Sequence, residues 1–291
     1  MSWFAEYKKS LKRQEVEEYF DLFFYRPLAF LFVKLIYNTT ITPNQITIAA
    51  IFIGLSSGFV YSLGTPFYYS LGALLFMIYN IVDCSDGMLA RLKKNGTHAG
   101  RIVDGLADYI STAAVFLGIA FGFANQQNNP FYWWILLLAT ATSNIIQSAL
   151  VDYYRNRFLD YVLQRKSTFD EGMDAFREEY QAIKNVKGKW FDRFIISCYF
   201  QYSALQRRLT AKKKKAKLFK ATPEEYYKKN KAAVRVWVSI GPTAQITVLM
   251  ICSVINRFDI FCWTMLIGFN SIAAIMWIVQ RNIDKKFKSS H

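Results

Sequence analysis

The chain has 291 residues, of which 53% are hydrophobic and 17% aromatic, and its formal net charge is +15. These apolar fractions are too high for an ordinary soluble domain, although 20% of the residues are charged. Both facts are explained if apolar residues form membrane spans and charged residues form the loops. The positive charge suggests an anionic membrane surface or nucleic acid as partner, and the spans favour the membrane over nucleic acid.

Residues 1–39 predict an interfacial, amphipathic region, because charged residues alternate with aromatic ones. Pro27 is expected to break this helix, and the apolar stretch 28–37 is too short to span a bilayer. We interpret that stretch as the end of the interfacial region or a re-entrant piece, with a full span as the alternative. The aromatic residues are Trp3, Phe4, Phe20, Phe23, Phe24 and Tyr25.

Six apolar stretches are long enough to predict six transmembrane helices, so the predicted fold class is an all-α integral membrane protein. Four helices lie in residues 40–154 and two in residues 232–283. The first starts with Thr42 as its cap and Pro43 in its first turn. The stretches run approximately over residues 43–62, 67–91, 100–122, 131–154, 233–255 and 260–280.

Residues 155–231 predict a basic cytosolic insertion of amphipathic helices, since they hold 20 Lys or Arg against 9 Asp or Glu. Its lysine run is either solvated or bound to anionic lipid. Basic residues also dominate the loop 92–101 and the tail 284–291, whereas the loop 124–130 carries no charge. The positive-inside rule therefore places both termini in the cytosol. A bacterial inner membrane and the endoplasmic reticulum both remain open.

Four carboxylates lie at the cytosolic ends of the second and third spans: Asp83, Asp86, Asp104 and Asp108. The first two are i,i+3 neighbours on one helix face, and the last two are i,i+4 neighbours on another. A turn signal at Asn95-Gly96 joins the two helices, so the carboxylates are expected to converge. Converging carboxylates cannot all stay ionised unless cations neutralise their charge. Hard divalent cations such as Mg²⁺ take oxygen ligands of this kind. Helix caps or salt bridges are the alternative interpretation.

The pattern Asp83-x2-Asp86-Gly87-x2-Ala90-Arg91-x8-Gly100-x3-Asp104-x3-Asp108 matches every fixed position of the CDP-alcohol phosphotransferase signature, so the chain resembles class I of that family. The resemblance implies that a substituted phosphate moves from a CDP-activated donor to an alcohol hydroxyl, with release of CMP. It also implies a homodimer. Two Mg²⁺ or Mn²⁺ ions per site are implied, with Asp83, Asp86, Asp104 and Asp108 as ligands and Asp108 also as the general base.

The resemblance extends to residues expected near the nucleotide: Asn44, Gly87, Ala90, Arg91 and Gly100. The small residues leave room for cytidine and pyrophosphate, although close helix packing also requires small residues. Arg91 suits bidentate contact with phosphate, with a cytosolic anchor as the alternative. Asn44 lies in a Pro-Asn-x-x-Thr segment that many family members share near the nucleotide, and a simple helix cap is its alternative.

A polar stripe on the fourth span predicts a pocket for the acceptor alcohol. Its residues follow helical spacing and are Asn144, Ser148, Asp152 and Arg155. Polar groups at membrane depth are usually functional, but hydrogen bonding between helices explains the stripe equally well.

Two donor classes fit the signature. The sequence favours a CDP-lipid donor such as CDP-diacylglycerol with a soluble alcohol as acceptor, because six spans are the minimal size for the family. The alternative is a soluble donor, such as CDP-choline or CDP-ethanolamine, with a lipid acceptor. A more remote alternative is a cation-binding transporter, which explains acidic residues within spans but not Gly87, Ala90, Arg91 and Gly100 at their spacings.

Overall fold

The computed structural model describes residues 3–11, 16–163, 177–178, 180–184, 186, 193, 196–197 and 222–288. Among these residues the regular structure is entirely helical, as expected for the predicted fold class. Most of the predicted basic insertion, including its lysine run, lies outside the described residues. Its role on the membrane surface therefore stays a prediction.

Ten α-helices organise the described residues, and six helical stretches among them are long and apolar enough to cross a membrane. This confirms the six predicted spans. Spans one to four are α3 to α6, the fifth combines α7 with α8, and the sixth combines α9 with α10. The helices are α1 Trp3–Ser10, α2 Arg26–Ile36, α3 Pro43–Ser62, α4 Pro66–Lys93, α5 His98–Gly122, α6 Pro130–Val162, α7 Pro223–Val238, α8 Pro242–Val254, α9 Phe258–Trp263 and α10 Asn270–Lys288.

The prediction that Pro27 breaks the N-terminal helix is wrong. A π-helical turn, Asp21–Tyr25, leads directly into α2, and the backbone stays helical at Tyr25. Proline has no amide hydrogen to donate to the preceding turn. The wide turn, in which the Arg26 amide donates to the Asp21 carbonyl, accommodates this missing donor without ending the helix.

The fifth span starts about ten residues earlier than the sequence pattern indicates, at Pro223, and it is interrupted before Pro242. Proline at the first turn of α8 cannot continue the backbone hydrogen bonds of α7, so the chain turns at 239–241. The sixth span contains a π-helical segment, Thr264–Phe269, that joins α9 to α10. Span four continues two turns past its predicted end, to Val162.

Helix α3 packs along both α4 and α5, which pack mainly against α3 and much less against each other. Glycines allow the close approach of α3 and α5. A methyl group added at Gly118 would overlap the carbonyl oxygen of Gly58, and one added at Gly54 would overlap the side chain of Ser111. The carboxylate-bearing helices are therefore set on either side of a common partner, and we refer to the region between their motif residues as the cleft.

The N-terminal segment is fixed to the start of α8 by buried carboxylates. Gly241 has no capping side chain of its own, and the amide of Ala244 donates to Glu18 at 3.0 Å. The hydroxyl of Thr243 donates to Asp21 at 3.1 Å. Buried carboxyl oxygens at a helix N-terminus accept hydrogen bonds from groups that would otherwise lack partners. The segment therefore belongs to the packed body of the protein.

Substitution of Gly118 by alanine is expected to destabilise the protein by roughly 1–3 kcal/mol, because α3 and α5 must separate to admit the methyl group. Thermal unfolding in detergent measures the effect. Gly105→Ala is the matched control, since nothing lies within 4 Å of a methyl group added there on the same helix. Equal unfolding temperatures for the two variants would contradict the tight α3–α5 contact.

The stability of the N-terminal contact is expected to fall as pH rises. Burial, assisted by the Asp21 carboxylate and opposed by Arg155, raises the pKa of Glu18 from 4.5 to about 8. Between these two values the folded protein keeps a proton that the unfolded chain releases, so stability is lost with increasing pH.

Glu18→Gln keeps an acceptor for the Ala244 amide without titrating. Its unfolding temperature should therefore decline less between pH 5 and pH 8 than that of the unchanged protein. Glu225→Gln, at an exposed position on α7, serves as the control and should follow the unchanged protein. Parallel pH profiles for the Glu18→Gln variant and the unchanged protein would rule out the proposed titration.

Candidate metal and nucleotide site

Three carboxylates of the motif come together in the cleft between α4 and α5. One oxygen each of Asp83, Asp86 and Asp104 lies within 4.8 Å of the others. The first two project from the last turns of α4, and the third projects from the start of α5. The convergence expected from the sequence is therefore present for these three residues.

The donor set suits a hard divalent cation. Asp86 is 5% exposed, and Oδ1 of Asp83 is buried without a hydrogen-bond partner. A buried carboxylate oxygen that lacks a partner is costly unless a cation neutralises it. Three oxygen ligands at this separation provide that neutralisation for a hard divalent ion.

Asp86 is oriented by a residue from the first span. The hydroxyl of Thr47, which is buried on α3, donates to Oδ2 of Asp86. Thr47 ends the Pro-Asn-x-x-Thr segment, and this segment was the available sequence signal for the contact. Substituting side chains that hold metal ligands in place typically lowers metal affinity roughly 10- to 100-fold.

Asp108 does not belong to the group of three and has an exposed side chain. Its Oδ1 accepts a hydrogen bond of 2.9 Å from the hydroxyl of Tyr79, a buried residue on α4. The sequence analysis missed Tyr79. Its position four residues before Asp83 places it on the same helix face, which is the signal that was available.

The residues predicted near the nucleotide adjoin the carboxylates. A methyl group added at Gly100 would lie 2.8 Å from Oδ1 of Asn44, so these two residues are in contact. A methyl group added at Gly87 would lie 3.4 Å from a terminal nitrogen of Arg91. Nε of Arg91 donates at 2.6 Å to the carbonyl of Ser10 in the N-terminal segment. The guanidinium of Arg91 is therefore anchored on one side and directed over Gly87 on the other.

Ala90 lies close to the turn that joins the two motif helices. A methyl group added at Gly96 would meet Ala90 at 3.4 Å. The backbone of Lys94 adopts the left-handed conformation with φ of 52°, and this conformation ends α4. Together these two features place the N-terminus of α5 beside the last turn of α4.

The four residues of the predicted acceptor stripe do not share one set of contacts. Arg155 forms an ion pair with Asp152, and the hydroxyl of Ser148 lies 3.4 Å from Oε1 of Gln245 on α8. Asn144 is buried, and its Oδ1 has no hydrogen-bond partner. Hydrogen bonding between helices therefore describes Ser148, whereas Asn144 keeps an acceptor available.

A buried hydrogen-bond network joins the fourth, fifth and sixth spans at Gln147. Its amide nitrogen donates to Oδ1 of Asn270 at 2.8 Å and to the carbonyl of Met265 at 3.0 Å. Gln245 donates to Oε1 of Gln147 at 3.2 Å. Three of the partners of Gln147 come from distant parts of the chain, whereas Ser143, at 3.0 Å, lies one turn before it on α6. Sequence reasoning did not identify this set.

Fold and site together describe an integral membrane protein with a carboxylate cluster that suits a divalent metal. Residues 40–164 match the model of the CDP-alcohol phosphatidyltransferase family. The chain therefore contains a CDP-alcohol phosphatidyltransferase domain, and this family comprises phosphotransferase enzymes of membrane phospholipid synthesis.

Three curated proteins show partial similarity. The bifunctional IPC transferase and DIPP synthase of Thermococcus kodakarensis is 26% identical over 160 residues, 55% of this chain and 32% of the relative. Ceramide phosphoethanolamine synthase of Drosophila melanogaster is 34% identical over 119 residues, 37% of this chain and 29% of the relative. Phosphatidylinositol phosphate synthase of Corynebacterium glutamicum is 27% identical over 149 residues, 51% of this chain and 60% of the relative. The matches thus cover less than two thirds of each relative.

Thr47→Val removes the hydroxyl that donates to Asp86 and keeps the shape of the side chain. Affinity for Mn²⁺ is expected to fall roughly 10-fold or more. Calorimetric titration of the purified protein with Mn²⁺ measures the change. Thr140→Val is the control, because that buried hydroxyl donates at 2.7 Å to the Leu136 carbonyl of its own helix rather than to a carboxylate. Unchanged affinity in the Thr47→Val variant would argue against an ion at this position.

Proposed function

We propose that the protein transfers a substituted phosphate from a CDP-activated donor to an alcohol hydroxyl and releases CMP. The observation that carries this proposal is the cluster of Asp83, Asp86 and Asp104 within a CDP-alcohol phosphatidyltransferase domain. In the reaction the acceptor oxygen forms a bond to the β-phosphorus of the donor. The bond between that phosphorus and the oxygen of the leaving CMP breaks.

Each motif carboxylate has a proposed role. Asp83, Asp86 and Asp104 would hold Mg²⁺ or Mn²⁺, and Asp108 would complete a site for two ions. When bound, such ions offset the charge of the pyrophosphate and of the leaving CMP. Asp108 would also accept the proton of the acceptor hydroxyl, as a general base within hydrogen-bond reach does.

The nucleotide would lie against the small residues beside these carboxylates. Gly87 and Gly100 have no side chain to block the approach of the pyrophosphate, and Asn44 offers an amide beside Gly100. The terminal nitrogens of Arg91 over Gly87 suit a phosphate oxygen. Ala90, a turn after Gly87 on α4, would keep the adjoining surface open.

The active site is proposed to face the cytosol. Under the positive-inside rule, the cytosolic side of the membrane would hold the lysines at the end of α4, the arginines near the end of α6 and the lysines at the end of α10. A soluble CDP-activated substrate could reach the carboxylates there without crossing the membrane. A homodimer is also proposed from the family resemblance, and native mass spectrometry would determine the oligomeric state.

We infer that the donor is a CDP-lipid, such as CDP-diacylglycerol, and that the acceptor is an uncharged alcohol. Arg155 pairs with Asp152, and Arg157 pairs with Asp284 at 2.8 Å. Both arginines are thus already neutralised, whereas a phosphorylated acceptor needs cationic groups that can bind it. Asn144, with its buried acceptor oxygen, would bind a hydroxyl donor of the alcohol, beside Ser148.

A second candidate pairs a soluble CDP-alcohol with a lipid acceptor. The observation that favours it is the similarity to a ceramide phosphoethanolamine synthase, at 34% identity. The two candidates share the same metal site and differ only in which substrate carries the lipid chains.

The test is CMP release by the purified protein in lipid, with Mg²⁺ or Mn²⁺. CDP-diacylglycerol, CDP-choline and CDP-ethanolamine would each be combined with a panel of soluble and lipid alcohols. Asp108→Asn is expected to lower the rate by roughly 100-fold or more, because the base is lost. Asp259→Asn, at a partly exposed ion pair in the first turn of α9, should leave the rate unchanged.

One donor–acceptor pair with metal-dependent CMP release would support the transferase and identify the substrates. Metal-dependent uptake of a cation by liposomes, without CMP release from any pair, would instead support the transporter.

Asn144→Leu tests the acceptor proposal separately. The substitution removes the buried amide at similar size, so the KM for the acceptor should rise roughly 10-fold while the KM for the donor stays unchanged. Initial-rate measurements with each substrate varied in turn provide both constants. An unchanged acceptor KM would place the alcohol elsewhere.

A further inference from the structure

Two buried tyrosines on α4 reach across to α5 with hydrogen bonds of nearly equal length. Tyr69 donates at 2.8 Å to the backbone carbonyl of Gly122, and Tyr79 donates at 2.9 Å to Oδ1 of Asp108. Their exposed fractions are 2% and 1%. The bonds differ in their acceptor, which is a backbone group in the first case and a motif carboxylate in the second.

We propose that Tyr79 is a positioning residue, whose hydroxyl holds the Asp108 carboxylate in the orientation needed for the reaction. This inference rests on the proposed transferase function and adds a residue outside the signature to its machinery. Tyr79 acts through Asp108 and does not itself touch the reacting atoms.

The need for positioning follows from the surroundings of Asp108. Asp86 is enclosed by protein and takes a hydrogen bond from Thr47, whereas the side chain of Asp108 is exposed. An exposed carboxylate samples several rotamers, and fixing one of them costs conformational entropy. A hydrogen bond to a charged group contributes enough free energy to select one orientation.

The geometry of Tyr79 suits it to this role. Its ring stacks on Phe76 with centroids 5.4 Å apart and planes 7° apart, so surrounding packing fixes the ring. Its position on α4 is one turn from Asp83, while its hydroxyl reaches α5. Since α4 and α5 pack mainly on α3, the bond spans the cleft that separates the two halves of the motif. Because the Tyr79 ring is held rigidly on α4, its hydroxyl can fix the position of Asp108 on α5 at little further cost in conformational entropy.

The first experiment compares Tyr79→Phe with Tyr69→Phe in the CMP-release reaction. Each variant loses one hydroxyl from a buried tyrosine that bridges the same two helices. Tyr79→Phe is expected to lower kcat roughly 10–100-fold and to leave the donor KM within about twofold. Tyr69→Phe should retain kcat. Equal kcat values for the two variants, or a loss carried entirely by KM, would overturn the proposal.

The second experiment needs no turnover. Mn²⁺ affinity is measured by calorimetry for Tyr79→Phe, Asp108→Ala and the double variant. If Tyr79 acts through Asp108, its substitution weakens Mn²⁺ binding in the unchanged chain and has no further effect in the Asp108→Ala chain. Additive losses, or no loss in Tyr79→Phe, would overturn the proposal. Absence of CMP release from every substrate pair would count against the transferase, and this titration would still decide the role of Tyr79.

Discussion

The structure depends on holding like charges together where two transmembrane helices meet the membrane surface. Three carboxylate oxygens within 4.8 Å repel one another, and burial makes their charged forms still less favourable. Without a cation, this arrangement opposes folding of the cleft. The scaffold must therefore supply the energy that keeps α4 and α5 in place before any substrate binds.

That energy comes from the first span. Helix α3 contacts both carboxylate-bearing helices, and glycines at its interface with α5 let the two backbones approach closely. In a membrane, such small-residue contacts replace the hydrophobic driving force that lipid tails remove. The same helix supplies Thr47 to Asp86 and Asn44 to Gly100, so one element both holds the cleft and contacts its polar residues. The N-terminal segment adds the anchor for Arg91.

The sequence predicted those features that follow from strong local patterns. Six apolar runs and the spacing of the aspartates were accessible, because helical periodicity and chain length limit the possible arrangements. The family resemblance alone directed attention to Asn44. The contact between Tyr79 and Asp108 was not accessible, since it depends on how α4 and α5 are set around α3. For the same reason the stripe from Asn144 to Arg155, uniform on a helical wheel, does not act as one group: Ser148 contacts another span, whereas Asp152 and Arg155 pair within α6. Pro27 was misjudged because a π-helical turn accommodates it within a continuous helix.

The central claim is that a metal-bearing carboxylate cleft binds the CDP group. Calorimetric titration of the purified protein with CDP, with and without Mn²⁺, tests it most directly. The account predicts CDP binding that requires Mn²⁺ and is abolished in Asp83→Asn. CDP binding of equal strength without metal, or no binding under either condition, would contradict it.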